Sequence, residues 1–339
     1  MLHNLNFERP ASKFKPPGLY SLIQSFIAIM IALNLAGFAN AQNYPQGPVN
    51  VITPWADGFP ANSARIYSEE LAKRYGQPFI LQSKPGAGGE VAARQVIGSL
   101  ADGSVLLVTG SSITIRGVTD PKNADGERDL QPIAQLTTTP YVIVARAGKF
   151  GSFKSFLDTA KNQPGKLDYA SAGVGTGMHY LGELINSSAK VDLVHIPYTT
   201  GSRQLQAVLA GDVSVAIISL VTALPQIKAG TLEALAVSST ERSQAAPNIP
   251  TLVESGLTGI PSMGAWIAMF APKGLNPKII ISLSEQIASI AKDPKVVERV
   301  TSWGAEIPNT SVSHLEQVIR TEKKSWSNLI KEKNLKTSN

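Results

Sequence analysis

Beyond residue 42, short apolar runs alternate with stretches of helical periodicity along most of the chain, and that alternation leaves few folds open. A strand-like run followed by an amphipathic helix, repeated many times, buries both surfaces only by layering helices on sheets, which predicts an α/β fold with largely parallel strands. Val49 to Pro54 predicts the first strand, and Ala61 to Tyr75, with Ile66, Leu71 and Tyr75 spaced among charges, the first helix. Strand Pro78 to Gln82, helix Val91 to Leu100 and strand Ser104 to Thr109 follow. Thr119 to Asp129, rich in Asp, Lys, Asn and Gly, predicts a surface loop.

A second series opens with the extended run Tyr141 to Ala145. It continues through helix Phe153 to Lys161, strand Leu167 to Ala170, helix Tyr180 to Ser187, strand Asp192 to Ile196 and helix Ser202 to Ala210. Strand Ser214 to Ile218, a short helix near Ala223 to Ala229 and strand Ala234 to Ser238 complete it. Gly264 to Phe270 is a further strand, and the rest beyond Asn276 reads as helical, ending in Ser313 to Lys333 with a capping box at Ser313-x-x-Glu316. The runs Tyr141 to Ala145 and Gly264 to Phe270 bracket the middle block, so the chain is expected to leave one domain and return to it, a two-segment hinge. The expected division is 1–41 as a signal peptide, 42–144 plus 264–339 as domain 1, and 145–263 as domain 2.

The signal peptide is read from Arg9, Lys13 and Lys15 ahead of an apolar stretch, Leu22 to Leu35, that ends near Ala39-Asn40-Ala41. Gln24 and Ser25 interrupt that stretch, and its 14 residues fall short of the roughly 20 a membrane span requires. Cleavage after Ala41 predicts a periplasmic protein with 28 basic and 24 acidic side chains, a mild excess. The basic residues near Lys323 and Lys331 to Lys336 are interspersed with Glu322 and Glu332, the pattern of a solvated helix face rather than a nucleic-acid surface. No cysteine is present, and His179, His195 and His314 show no metal-ligand spacing, so no metal or cofactor is expected.

Two loops of small residues stand between a strand and a helix: Lys84-Pro-Gly-Ala-Gly-Gly89, and Tyr169-Ala-Ser-Ala-Gly-Val-Gly-Thr-Gly-Met-His179. Such loops aim bare backbone N–H groups at something small and negative. A hydrolase elbow would need Gly-x-Ser-x-Gly, and Tyr169 stands where its first glycine belongs ahead of Ser171; His179 or His195 could partner Ser171 only with Asp192 or Glu183 as the orienting carboxylate, which leaves hydrolysis the lesser alternative. A dinucleotide loop fails at Met178, where Gly173-x-Gly175-x-Gly177 lacks its last glycine, and the lysine-bearing phosphate loop is missing. Binding without chemistry asks only for the amides and for hydroxyls at Ser111, Ser112, Ser171, Thr176, Thr199 and Thr200. His179 is expected to bond its own loop and His195 to be a satisfied strand residue.

At these residues the chain resembles the extracytoplasmic solute receptors of the tripartite tricarboxylate transporter family, the Bug-type binding proteins. The markers are Tyr44-Pro45, Pro54-Trp55-Ala56-Asp57-Gly58, Gly76-Gln77-Pro78, Lys84 to Gly89, Ala101-Asp102-Gly103, Pro164 to Ser171 and His195-Ile-Pro-Tyr198. Leu224 to Gly230, Leu235-Ala-Val237, Pro250 to Gly256, and Trp266 with Phe270-Ala-Pro272 continue them. The resemblance implies a two-lobed, type II periplasmic-binding fold and no enzyme. It implies a monomer that closes on a small organic carboxylate and presents it to a permease of one large and one small subunit. A sensor kinase is the alternative partner.

The resemblance also implies where the ligand sits. The first-domain residues are Trp55, Asp57, Gly58, Phe59, Pro60, Asn62, Gly86, Ala87, Gly88, Gly89, Ser111 and Ser112. Those of the second domain are Ser171, Gly173, Gly175, Thr176, Gly177, His179, Tyr198, Thr199, Thr200, Gly201 and Ile218. The chain departs from the family pattern twice. Where members carry Pro-Gly-Gly-x-x-Asp it has Asp57-Gly58-Phe59-Pro60-Ala61-Asn62, one residue short before Arg65, and where members have acids in Gly-x-Val-Asp-Leu-x-x-Asp it has Ser214 and Ile218. Both changes remove negative charge, which predicts a ligand without an ammonium group, possibly aromatic. Trp55, Phe59, Ile218 and Trp266 are expected either to wall the ligand or to be core.

Overall fold

One strand belongs to two sheets, and the architecture follows from it. The computed structural model describes residues 44–198 and 201–333; the signal peptide, Thr199 and Thr200 lie outside the described residues. The first sheet is fed by β1 (Val49–Thr53), α1 (Gly58–Tyr75), β2 (Phe79–Ser83), α2 (Glu90–Ile97), β3 (Val105–Gly110) and α3 (Ser112–Thr119). Then comes β4 (Leu130–Arg146), 17 residues long. The second sheet is fed by α4 (Phe153–Asn162), β5 (Asp168–Ser171), α5 (Gly177–Ala189), β6 (Val194–Pro197), α6 (Gly201–Ala210), β7 (Val215–Ser219), α7 (Leu220–Lys228) and β8 (Leu232–Val237). The chain returns through β9 (Gly264–Pro272) and closes with α8 (Pro277–Ile290), α9 (Pro294–Ser302) and α10 (Val312–Lys333).

The strands run β2-β1-β3-β9-β4-β7-β5-β6, with β8 also on β4. Leu130 to Pro140 of β4 pair with β9, and Tyr141 to Arg146 pair with β7 and β8. The expectation of largely parallel strands needs correction: β4 is antiparallel to its neighbours because it carries the chain straight from the first sheet into the second, and β9 because it returns alongside β4 and β3, neither with a helical crossover.

Alternation along the strands sorts the cores. Tyr141, Ile143 and Ala145 of β4, with Val215 and Ile217 of β7, pack under α4 and α5 against Phe153, Phe156 and Leu181. Val142 and Val144, with Ala216 and Ile218, pack on the opposite face against Val208, Ala223 and Leu224 of α6 and α7. In the first sheet Ile52, Leu107, Ala268 and Phe270 meet α2 and the Leu315 and Ile319 face of α10.

Several boundaries differ from expectation for local reasons. α1 starts at Gly58, since Pro60 in a first turn gives up an N–H that needs no partner there. α10 is capped by Ser311, whose Oγ accepts from the His314 N–H at 3.3 Å; Ser313 lies inside the first turn, and Glu316 instead approaches Arg320 at 3.9 Å. The region after Thr119 is not wholly surface: Ala124 and Asp125 are buried, and Lys323 holds Asp125 at 3.0 Å.

The two crossing segments are tied together. The Ser238 hydroxyl accepts from Tyr141 N–H at 2.9 Å and donates to the Met263 carbonyl, joining the outward and return passages. A Cβ at Gly264 would lie 2.5 Å from the Thr139 carbonyl oxygen, a backbone atom that cannot swing aside. Gly264→Ala is therefore expected to destabilise the protein by about 1–3 kcal/mol, the usual range for overpacking. Urea denaturation measures it, and a change below about 0.5 kcal/mol, the range of neutral surface substitutions, would show that the crossing is loose.

Candidate functional site

β9 is antiparallel to β3 and β4 is antiparallel to β9, so β4 leaves the first sheet at the edge where β1, β2 and β3 end. It enters the second sheet with Tyr141 opposite Ser219, at the edge where β7, β5 and β6 end. The strand ends of the two sheets therefore face each other across Pro140 and Tyr141. From those ends start α1, α2 and α3 on one side and α5, α6 and α7 on the other. Each helix start carries a partial positive charge and N–H groups outside the helical ladder, so the gap is suited to an anion.

On the first side, Gly86, Ala87, Gly88 and Gly89 all have positive φ, at 133°, 45°, 62° and 100°. This left-handed run turns the backbone outward, and Gly86 to Gly88 are exposed. A Cβ on Gly88 would meet Arg116 Nη1 at 2.7 Å, so the guanidinium lies directly against this loop. Arg116 Nη2 donates to Asn123 Oδ1 at 3.1 Å, Glu90 stands 3.8 Å away, and the buried Nε has no hydrogen-bond partner. Glu90 is itself taken by Arg94 at 2.6 Å and by the Ala124 N–H at 3.0 Å. Sequence reasoning missed Arg116, because its proximity to Gly88 arises only once β3 and α3 are in place.

Trp55, Phe59, Pro60 and Asn62 are half-buried and Asp57 and Gly58 exposed. The Trp55 ring lies over Gly110, where a Cβ would meet it at 3.4 Å and the Trp266 carbonyl oxygen at 2.8 Å. Asn62 Oδ1 accepts from Arg65 at 3.0 Å. Ser111 and Ser112 begin α3, and the Ser111 side chain lies beside the Tyr141 hydroxyl. A Cβ on Gly177 would lie 2.5 Å from that same hydroxyl, so Tyr141 touches the starts of both α3 and α5. Nothing in the sequence marks Tyr141 out from its neighbours in an apolar strand.

On the second side, Ser171 ends β5 and is buried. Its Oγ accepts from Gly173 N–H at 3.0 Å and lies 2.6 Å from His195 Nε2. Thr176 caps α5, accepting from His179 N–H at 3.3 Å, while its hydroxyl donates to the Gly173 carbonyl at 2.7 Å. Gly175 N–H donates to His179 Nδ1 at 3.3 Å, and Tyr198 N–H to the Ser171 carbonyl at 2.9 Å. The His179 and His195 rings are 4.3 Å apart, with Tyr169 stacked on His195 at 4.9 Å.

Burial, and then the neighbouring His179, pulls His195 down to about 4; burial lowers His179 too, opposed by Glu183. Both imidazoles are thus neutral near pH 7, which leaves His179 Nδ1 free to accept from Gly175. The Ser171–His195 contact is structural. Ser171 has no exposed surface, and Glu183, the carboxylate beside the ring stack, accepts from the Tyr169 hydroxyl at 2.8 Å rather than orienting a histidine. Among the described residues no group of three or more His, Asp or Glu side chains is placed to hold a metal ion.

Gly201 opens α6. Ile218 is a correction: alternation along β7 turns its side chain into the core beneath α6 and α7, with no exposed surface, so it walls no cleft. Trp266 is likewise core, its Nε1 donating to Glu322 at 2.9 Å.

Comparison with known proteins agrees with this geometry. Residues 63–335 match the profile of the tripartite tricarboxylate transporter family receptor. A UPF0065 protein of Bordetella pertussis is 34% identical over 307 residues, covering 89% of this chain and 94% of the relative. The BugT protein of the same organism is 29% identical, covering 93% and 97%. The structure of MatC from Rhodopseudomonas palustris, with bound malate, superposes with a TM-score of 0.73 at 30% identity, covering 85% of this chain and all of that one. With the two-lobed periplasmic-binding fold and a family profile spanning most of its length, the chain belongs to the tripartite tricarboxylate transporter family of solute receptors.

Proposed function

We propose that the protein captures a small organic carboxylate without an ammonium group in the gap between its sheets and delivers it, unaltered, to a tripartite tricarboxylate-type permease. The observation that carries this is the meeting of six helix starts across the β4 crossing, with Arg116 behind one loop and two neutral histidines behind the other. Domain 1 is assigned to 42–144 plus 264–339 and domain 2 to 145–263, with the periplasm as the site of action after cleavage behind Ala41. The ligand is assigned to the exposed backbone of Gly86 to Gly89, to Ser111 and Ser112, and to the Gly173 to Gly177 loop, with Trp55 and Phe59 as apolar cover.

The charge argument turns on two positions. Ala61 is fully buried in α1 and Asn62 bonds Arg65, so neither supplies the acid that would neutralise an ammonium. In a calorimetric or thermal-shift panel, plain, aliphatic or aromatic acids are expected to bind while aspartate and glutamate do not, with a smaller radius of gyration in solution scattering on binding. A clear preference for glutamate would sink the assignment.

Charge-assisted hydrogen bonds contribute about 1.5–3 kcal/mol each, so Arg116→Gln is expected to weaken binding about tenfold or more with the fold intact. Unchanged affinity would remove the first loop from the site.

Acid should loosen the second loop. In the unfolded chain His195 takes a proton as pH falls through 6.5, whereas in the folded protein it resists until about 4. Stability present above 6.5 is thus lost progressively between those values. Denaturation midpoints measured from pH 7 to 4 should fall, and His195→Asn should flatten that limb; an identical slope in the variant would show that other groups govern it.

A further inference from the structure

The starts of α3 and α5 face each other across the gap, and a third helix touches both. Ile115 is the fourth residue of α3 and Tyr180 the fourth of α5. The Trp326 ring of α10 lies buried with the two of them in one apolar cluster, its centroid 4.3 Å from that of Tyr180. Tyr141 of β4 meets the same pair of helices where they begin, beside Ser111 and against Gly177. Contacts at two levels about one turn apart fix the angle between two helices as well as their separation.

α10 is itself fastened to the first side. Leu315 and Ile319 pack on its sheet, Lys323 holds Asp125 at 3.0 Å and Glu127 at 2.9 Å, and Glu322 accepts from Trp266 Nε1 at 2.9 Å. Trp326 therefore stands at a set place relative to α3, and α5 meets it there. Its buried Nε1 has no hydrogen-bond partner, so packing alone seats the ring and its bulk is what reaches the two helices. The junction is not filled on every side: a chamber of about 340 Å³ opens beside the ring, with Ile115, Leu184, Met263 and Trp326 among its walls. A close-packed core resists a change of spacing through many contacts at once. Here a change of ring size has room to become a shift of α5.

We propose that Trp326 is a positioning residue for the gap, a spacer whose ring sets the distance between the first turns of α3 and α5 and so the length of organic acid that the gap accepts. It touches no ligand and acts through Tyr180 and Ile115. The Gly173 to Gly177 loop moves with α5, because the Tyr180 N–H donates to the Thr176 carbonyl at 3.1 Å and the Thr176 side chain caps the helix. The proposal rests on the reading of the gap as an organic-anion site and adds what sets its selectivity by length. A site of fixed width rejects an acid one methylene too long or too short by about tenfold or more, and a site of loose width does not.

Titration calorimetry of the purified protein with two ladders of straight-chain acids, acetate to octanoate and malonate to suberate, tests this. The unsubstituted protein is expected to bind neighbours at the optimum of at least one ladder with affinities about tenfold apart. Trp326→Phe, which removes bulk and no hydrogen bond, should move the preferred length by one methylene or more. Ile115→Val, a smaller change on the α3 side of the same ring, should move it in the same direction, and carries the test if Trp326→Phe does not fold. Ile319→Val, a core change in the same helix away from the ring, should lower the denaturation midpoint and keep the original order of lengths. Uniform weakening along the ladder in the folded spacer variants, with the order unchanged, overturns the spacer but not the receptor. So does an equal shift in Ile319→Val, or an unsubstituted protein that binds these acids without regard to length. If none of the acids binds, the reading of the gap as an organic-anion site falls and the spacer falls with it.

Discussion

The passage of β4 from one sheet into the other is the constraint on which the rest depends. A strand that ends one sheet's run and begins another's must keep its direction, so each sheet is met at the edge where its parallel strands finish. Helices begin at those edges because each parallel strand feeds a helix that returns over the sheet. Two rows of helix starts are therefore brought face to face by strand direction alone, before any side chain is considered. Gly264 and Ser238 then hold the return passage against the outward one, so the crossing is one paired unit rather than two loose tethers.

Within that frame the two sides are built by different means. The first presents a left-handed run of backbone and sets a guanidinium beneath it, so its positive potential combines a full charge with helix ends. The loop of the second is shaped by neutral groups, with Ser171, Thr176 and His179 each hydrogen-bonded to loop backbone. Burial makes that neutrality possible. An imidazolium at His195 would sit 4.3 Å from a second histidine ring and lose solvation, so both rings stay uncharged and serve as hydrogen-bond partners.

Much of this was legible because its causes are local. Runs such as Val49 to Thr53 and Val215 to Ser219 are strands for their apolar, β-branched content, and the glycines near 86 and 175 mark loops because few other residues tolerate their φ angles. The first half of β4 escaped notice since Pro132, Pro140 and the threonines 137–139 break the apolar pattern. Register shifts beside Pro132 and Gln135 absorb those breaks once β9 lies alongside. α3 was invisible for the opposite reason: Ser-Ile-Thr-Ile-Arg-Gly-Val-Thr is poor in helix formers and is helical because it is packed. Ile218 was read from the family pattern, which names the position but not the face it turns to; strand alternation settles that. Arg116 and Tyr141 reach the site only through tertiary contact, for which a single sequence carries no signal.

α10 gives the crossing a further consequence. Its Leu315 and Ile319 pack on the first sheet, while the Trp326 ring lies tilted against Tyr180 of α5, which grows out of the second, at 4.3 Å. One rigid helix thus touches both sides, and Ile115 of α3 completes the same apolar cluster. Any change in the spacing of the sheets must slide Tyr180 against Trp326 or carry α10 with it. Tyr141 lies under the same junction, its hydroxyl beside Ser111 and against Gly177, so the starts of α3 and α5 cannot separate without one of them leaving that hydroxyl. Any change in the spacing of the two sheets would thereby load a small set of aromatic contacts beside the crossing, while the exposed backbone of the Gly86 to Gly88 loop lies apart from them.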